Sequence, residues 1–232
     1  MPFLTLNFKA VVVSLVVGAA MIVFGKDLGL FFFGEMFFFV VLAAIVTLAG
    51  KKFKQNAGLY EKSRGIKNVL ANGLWPLVMS AAFYATYTTG HSHLALFAAL
   101  GFIASVGAVT SDTFSSELGV LDGRPVMILG FRKVQKGVSG GVTWLGLAAG
   151  FGGALLISAA FVVVLPELSV LGLSSYILAF IVLTISSFFG TIADSVLGYF
   201  EEKGIGSKYT SNFFGSMAGS ALCVALAAMF AL

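Results

Sequence analysis

Long apolar runs alternate with short polar breaks over the whole chain. Seven runs stand out: Ala10–Phe24, Leu28–Gly50, Asn68–Gly90, Leu94–Ser111, Val142–Leu165, Leu168–Ala193 and Phe213–Leu232. A helix rising 1.5 Å per residue needs about 20 apolar residues to cross a hydrocarbon layer of roughly 30 Å. Each run therefore predicts a transmembrane helix. The first is short, and Lys9 and Lys26 flank it as side chains able to snorkel to the interface. A signal peptide would share its apolar core, but no cleavage site follows it, and six more runs do. The expected fold is an all-α, polytopic bundle of about seven spans. It forms one membrane domain over 1–232, with the first two spans in 1–50 and the motif-bearing part in 51–232.

Composition excludes the soluble alternatives. Hydrophobic residues are 59% of the 232 and charged residues 10%, against about 45–50% and about 25% in a soluble domain. Mean hydropathy is +1.01. A soluble enzyme, a disordered chain and a secreted disulfide scaffold are all ruled out, and the single cysteine, Cys223, has no partner for an intrachain disulfide.

Charge placement orients the bundle. With a cytoplasmic N-terminus, 13 of the 14 basic residues fall inside: Lys9; Lys51, Lys52, Lys54, Lys62, Arg64 and Lys67; Arg124, Arg132, Lys133 and Lys136; Lys203 and Lys208. Only Lys26 falls outside, as the positive-inside rule requires. This asymmetry accounts for a pI near 9.2 without nucleic acid, and points to anionic lipid as a partner of the basic surface or to translocation bias. The inner connections, about 51–67, 112–141 and 194–212, are the long ones, and loops are where function concentrates.

Of the ten acids, Asp27, Glu61, Asp122, Glu167, Glu201 and Glu202 read as solvated loop residues, and Glu35 sits within FFFGEMFFF with no assigned role. Asp112 and Glu117 in TSDTFSSELG and Asp194 in TIADSVLG stand at inner helix ends among hydroxyls and glycines. Ionisable groups beside hydrocarbon are costly and mark function. Three carboxylates on one face suit a hard cation such as Mg²⁺, which takes oxygen ligands. The competing reading is that they merely end helices. Asn72 and Asn212 admit two readings, helix N-caps or amides that orient metal water or phosphate. In GFRKVQKGVSGGVTW, Gly137, Ser139, Gly140 and Gly141 lead into the fifth span. A glycine-rich turn opening a helix offers N–H groups and a positive dipole end to phosphate, and Arg124, Arg132, Lys133 and Lys136 add charge. The alternative is a topogenic basic loop followed by a packing helix lined with Gly146, Gly150, Gly152 and Gly153. No Walker A pattern is present, and the only histidines, His91 and His93, lie in an outer turn, so Ser–His acyl chemistry is not expected. Carboxylates, Mg²⁺ and a basic glycine loop point to phosphoryl or nucleotidyl transfer.

SRGIKNVLANG, TSDTFSSELG, RKVQKGVSGGVTWLG, TIADSVLG and the SNFF opening of the last span, in this order from Ser63 to the C-terminus, resemble the membrane family of plant phytyl-phosphate kinase and transmembrane protein 19. The D-x-x-x-x-E and K-G-x-S-G-G pieces are more distantly similar to dolichol kinase and phosphatidate cytidylyltransferase. The resemblance implies transfer of phosphate from a nucleoside triphosphate, CTP favoured, to an isoprenoid monophosphate of phytyl or geranylgeranyl type at the cytoplasmic face. It implies Asp112, Glu117 and Asp194 around Mg²⁺, with Lys136 as a further catalytic group. Gly137, Ser139, Gly140 and Gly141 would cradle phosphate, with Arg64, Asn72, Arg132, Lys133, Ser195 and Asn212 completing the nucleotide and substrate site. A homodimer is left open. The alternatives are a lipid-phosphate cytidylyltransferase, which would release pyrophosphate, and a small transporter, which would place polar groups at the bilayer midplane.

Overall fold

The computed structural model describes residues 5–60 and 63–232. Glu61 and Lys62, counted above among the solvated acids and inner cations, lie outside the described residues. Among the described residues nine α-helices carry the fold: α1 (Phe8–Gly25), α2 (Gly29–Ala49), α3 (Lys51–Asn56), α4 (Ile66–Thr88), α5 (Ser92–Gly119), α6 (Trp144–Ala160), α7 (Leu165–Val170), α8 (Tyr176–Glu201) and α9 (Lys208–Met229). Six apolar helical segments among the described residues are long enough to span a bilayer. The first, Phe8–Ala49, contains two helices joined by a 3-10 turn at Lys26–Leu28. These fold back on one another: Gly18 of α1 faces the Phe33 ring of α2, and Gly25 faces Phe32. The expected bundle of about seven spans is therefore present, with seven long helices.

α5 is the axis. Every residue from Ala98 to Ser111 is buried, and α2, α4, α6, α8 and α9 all pack on it. Its Ala, Gly and Ser positions explain this, since small side chains let helices approach closely where lipid supplies no hydrophobic drive between them. α6 shows the same device. Added side chains at Gly146, Gly150 and Gly153 would sit 2.9, 3.0 and 3.2 Å from the carbonyl oxygens of Ser115, Ser111 and Thr110 on α5. Gly152 faces open space. On the other flank Phe32 stacks on Phe102 at 4.0 Å and meets Phe83 edge-on. Part of each phenylalanine run thus packs inward, while Phe37 and Phe38 are exposed.

Two boundaries depart from the hydropathy pattern. The sixth span is Tyr176–Glu201 rather than Leu168–Ala193: Gly172 at φ +108 breaks the chain, and the Ser175 hydroxyl caps α8 by accepting from the Leu178 N–H. α5 likewise continues to Gly119 and α8 to Glu201, so Asp112 and Asp194 lie within helices rather than at their ends. At one end of the bundle Lys26 lies over the Tyr84 ring and Asp27 accepts from the Tyr87 hydroxyl, so these neighbours do not form the expected surface pair. The other end gathers the starts of α4, α6 and α9, the ends of α2, α5 and α8, and the remaining described basic residues.

Candidate functional site

Small residues bring two acids together at this basic end. Gly190 of α8 faces Ala108 of α5 and the Gly215 carbonyl of α9, and Gly215 lies against the Asp194 Cβ. The Thr191 hydroxyl donates to Ser111 Oγ at 2.6 Å and ties α8 to α5. With the backbones this close, the carboxyls of Asp112 and Asp194 sit side by side. Asp194 Oδ1 is buried with no hydrogen-bond partner among the described residues. Such an orphaned acceptor is costly unless something occupies it. Asn212 of α9 donates from Nδ2 to Asn72 Oδ1 of α4 at 3.0 Å, and both amides line a small pocket with the two aspartates. Neither asparagine is a cap, because α4 begins after Gly65 and α9 is capped by Ser207.

A wider polar cleft opens above the pair, with about 920 Å³ of empty space. Lys136, Gly137, Ser139, Gly140, Gly141 and Ser195 all line it, as expected. The glycine loop hangs from a two-stranded ribbon in which β1 (Val126–Met127) pairs antiparallel with β2 (Gly141–Val142). Gly140, at φ +74, presses its backbone on Gly198 of α8. A Cβ on Gly198 would meet the Gly140 nitrogen at 2.5 Å. Replacing Gly198 with Ala is therefore expected to prise the loop from α8. A strain of about 1–3 kcal/mol should speed tryptic cleavage at Arg132 and Lys133 roughly tenfold or more, while the unfolding temperature of the bundle moves little. An unchanged cleavage rate would mean that this contact does not hold the loop.

Three expected roles change. Glu117 does not join the aspartates. Its Oε2 accepts from Lys54 Nζ at 2.6 Å and its Oε1 from Arg64 Nη2 at 3.1 Å, and Arg64 also donates to Thr47. Five residues along a helix turn the side chain by about 140°, which carries Glu117 away from Asp112 and toward α2 and α3. Among the described residues no three His, Cys, Asp or Glu side chains come close enough to hold one metal ion. Arg132 and Lys133 are exposed and do not line the cleft. At the start of α6 the Thr143 hydroxyl accepts the Gly146 N–H and so uses one of the first-turn donors.

Glu201, expected to be a solvated loop residue, lines the cleft instead. It accepts from the Ser139 hydroxyl at 2.8 Å and from the Ser211 hydroxyl, while the Ser139 N–H donates to Glu202 at 2.9 Å. The anion-seeking atoms of Ser139 thus hold carboxylates here. Lys208, counted above only as a topogenic charge, also lines the cleft and lies near both aspartates. The sequence signal for Glu201 was its spacing: seven residues after Asp194 is two helical turns on the same face.

Two hard carboxylates, one with an orphaned oxygen, fit Mg²⁺, which commonly takes one or two carboxylates and completes its shell with water and substrate phosphate. The cleft is lined by charges of both signs, Lys136 and Lys208 beside the carboxylates of Asp112, Asp122, Asp194 and Glu201, a mixture that suits a polyphosphate carried with its metal ion.

Comparison with known proteins places the chain among membrane proteins. An uncharacterized membrane protein of Methanocaldococcus jannaschii is 36% identical over 197 residues, covering 80% of this chain and 72% of that protein. A second, from Synechocystis, is 32% identical over 167 residues, covering 70% of this chain and 59% of its own length. Protein PGR of Arabidopsis thaliana is 33% identical over 111 residues, 42% of this chain and 35% of that protein. No solved structure matches. The family described as integral membrane protein DUF92 matches residues 2–228, and the chain belongs to that family.

Proposed function

We propose that this protein is a membrane phosphotransferase that moves the terminal phosphoryl group of a nucleoside triphosphate, CTP favoured, onto an isoprenoid monophosphate of phytyl or geranylgeranyl type. The supporting observation is the adjacency of Asp112 and Asp194 beneath a cleft walled by the glycine loop from Lys136 to Gly141, at one end of an apolar bundle. The proposed site faces the cytoplasm, where the triphosphate is available.

A phosphate oxygen of the acceptor attacks the terminal phosphorus. A new P–O bond forms, the bond to the bridging oxygen breaks, and the nucleoside diphosphate leaves with its electron pair. Such transfers are catalysed mainly by positioning and charge neutralisation. Asp112 and Asp194 would hold Mg²⁺, which neutralises phosphate charge when bound. Lys136 and Lys208 bring further positive charge to the cleft. Gly140 and Gly141 lack side chains where the loop closes on α8 and on its own turn, which fixes the cleft wall that phosphate would meet. The Asn72–Asn212 pair orients acceptor oxygens from α4 and α9. Glu201 leaves Ser139 as phosphate enters, since the two anions compete for the same donor.

The test is incubation of the purified protein with Mg²⁺, each γ- or α-labelled nucleotide in turn, and geranylgeranyl or phytyl phosphate. A labelled lipid diphosphate and a nucleoside diphosphate are expected. Pyrophosphate with a nucleotidyl-lipid would indicate a cytidylyltransferase, and no lipid product with any nucleotide would overturn the proposal.

A further inference from the structure

A second cavity lies between α1, α2 and α4, with about 940 Å³ of empty space. Val17 and Met21 of α1, Phe39 and Val40 of α2 and Gly73 of α4 give it apolar walls. Its polar groups are not scattered. Arg64, Asn68 and Asn72 are spaced four residues apart, the last two on the first turns of α4 with Arg64 just ahead of them, and all three line the cavity. Asn72 is also a wall of the pocket that contains Asp112, Asp194 and Asn212. The apolar cavity and the carboxylate pocket therefore share a side chain. Among the described residues, two cations, Lys54 and Arg64, converge on the single carboxylate of Glu117 beside this polar end.

We infer that this cavity binds a lipid monophosphate with one hydrocarbon chain: the chain lies between α1, α2 and α4, and the phosphate lies along Arg64, Asn68 and Asn72, pointing at the aspartate pair. This deepens the phosphotransfer reading and rests on it for the acceptor's direction of approach. An amphiphile is the occupant whose chemistry changes where the wall changes. Apolar tail surface is removed from water and from the lipid phase alike, and the head meets a guanidinium and two amides, which donate to phosphate oxygens. A free phosphate would leave the apolar walls unoccupied. The bilayer delivers the ligand laterally, because the cavity lies within the span of three transmembrane helices.

Photolabelling tests this without turnover. The full chain in phosphatidylcholine nanodiscs is irradiated with geranylgeranyl phosphate carrying a diazirine at the far end of its chain, with no nucleotide present, and the adducts are mapped. Adducts are expected on α1, α2 and α4. Unlabelled geranylgeranyl phosphate should compete with them and dioleoylphosphatidylcholine should not. Gly73→Leu, which fills space 3.6 Å from Val17 and 3.8 Å from Met36, should reduce them at least tenfold. Val40→Trp serves as a second blocking variant should the first fold poorly. Adducts spread evenly over the lipid-facing helices, or displaced equally by the two-chain lipid, would overturn the assignment. Adducts in the cavity with no diphosphate product in the enzymatic assay would keep the cavity and sink the phosphotransfer reading. Product formation with adducts elsewhere would do the reverse.

Discussion

Asp194→Asn is expected to reduce lipid diphosphate formation by on the order of 10³ or more, and Asp112→Asn to do the same, while the unfolding temperature of either variant holds or rises. The activity loss follows from what the pair supplies. Several kcal/mol of phosphate charge stabilisation rest on it, and each 1.36 kcal/mol is tenfold in rate. The stability gain follows from the same geometry. Two carboxylates are placed side by side between α5 and α8, with one oxygen orphaned. An amide in place of either removes one of two crowded carboxylates, and Asp112→Asn also adds a donor for the orphaned Asp194 oxygen. A gain of about 0.5–2 kcal/mol is the usual return when a strained functional group is relaxed. The double variant should be no less active than either single one, because residues acting as a unit are not additive. Circular dichroism melts and product assays on the same preparations check both halves. Full activity in either single variant removes the pair from catalysis. Activity and stability falling together would make the aspartates structural.

The bundle was legible because its cause is local. A run of about 20 apolar residues forms a helix in lipid whatever its neighbours are. The helix ends were less legible, because tertiary cover decides where a helix near the interface stops. Residues 112–119 are too polar for a span, yet they stay helical because α6 packs on them through Gly146 and Gly150. The shift of the sixth span turned on one glycine and one serine cap, Gly172 and Ser175, which carry no hydropathy signal. The aspartate pair was visible as two hydroxyl-flanked acids on one face. Their contact was not, since it depends on Gly190, Gly215 and Ala108 meeting at once. Residue type alone grouped Glu117 with the aspartates. Helical phase separates it from Asp112 and joins Glu201 to Asp194, and both offsets can be counted in the sequence.

Glu117 then carries a prediction of a different kind. Glu117→Gln should lower stability by about 3–5 kcal/mol, the usual cost of breaking a buried ion pair by deleting one partner. Glu117 is 7% exposed and Lys54 8%, so neither charge has water to fall back on. The carboxylate pins three pieces of chain: α3 through Lys54, the approach to α4 through Arg64, and the end of α5 on which it sits. Without it, Lys54 and Arg64 face each other uncompensated, and a membrane-embedded chain that is marginally stable should express poorly or melt many degrees earlier. Lys54→Met in the same background should recover part of the loss, since it removes one of the two stranded cations. A double-mutant cycle over Lys54 and Glu117 would return the coupling directly. The surviving folded fraction of Glu117→Gln should need no more Mg²⁺ for half-maximal turnover than the parent. Asp112→Glu, which displaces a carboxylate within the pair, should need several-fold more. An unchanged melting temperature together with a raised Mg²⁺ requirement in Glu117→Gln would return Glu117 to the metal site and make its contacts with Lys54 and Arg64 incidental.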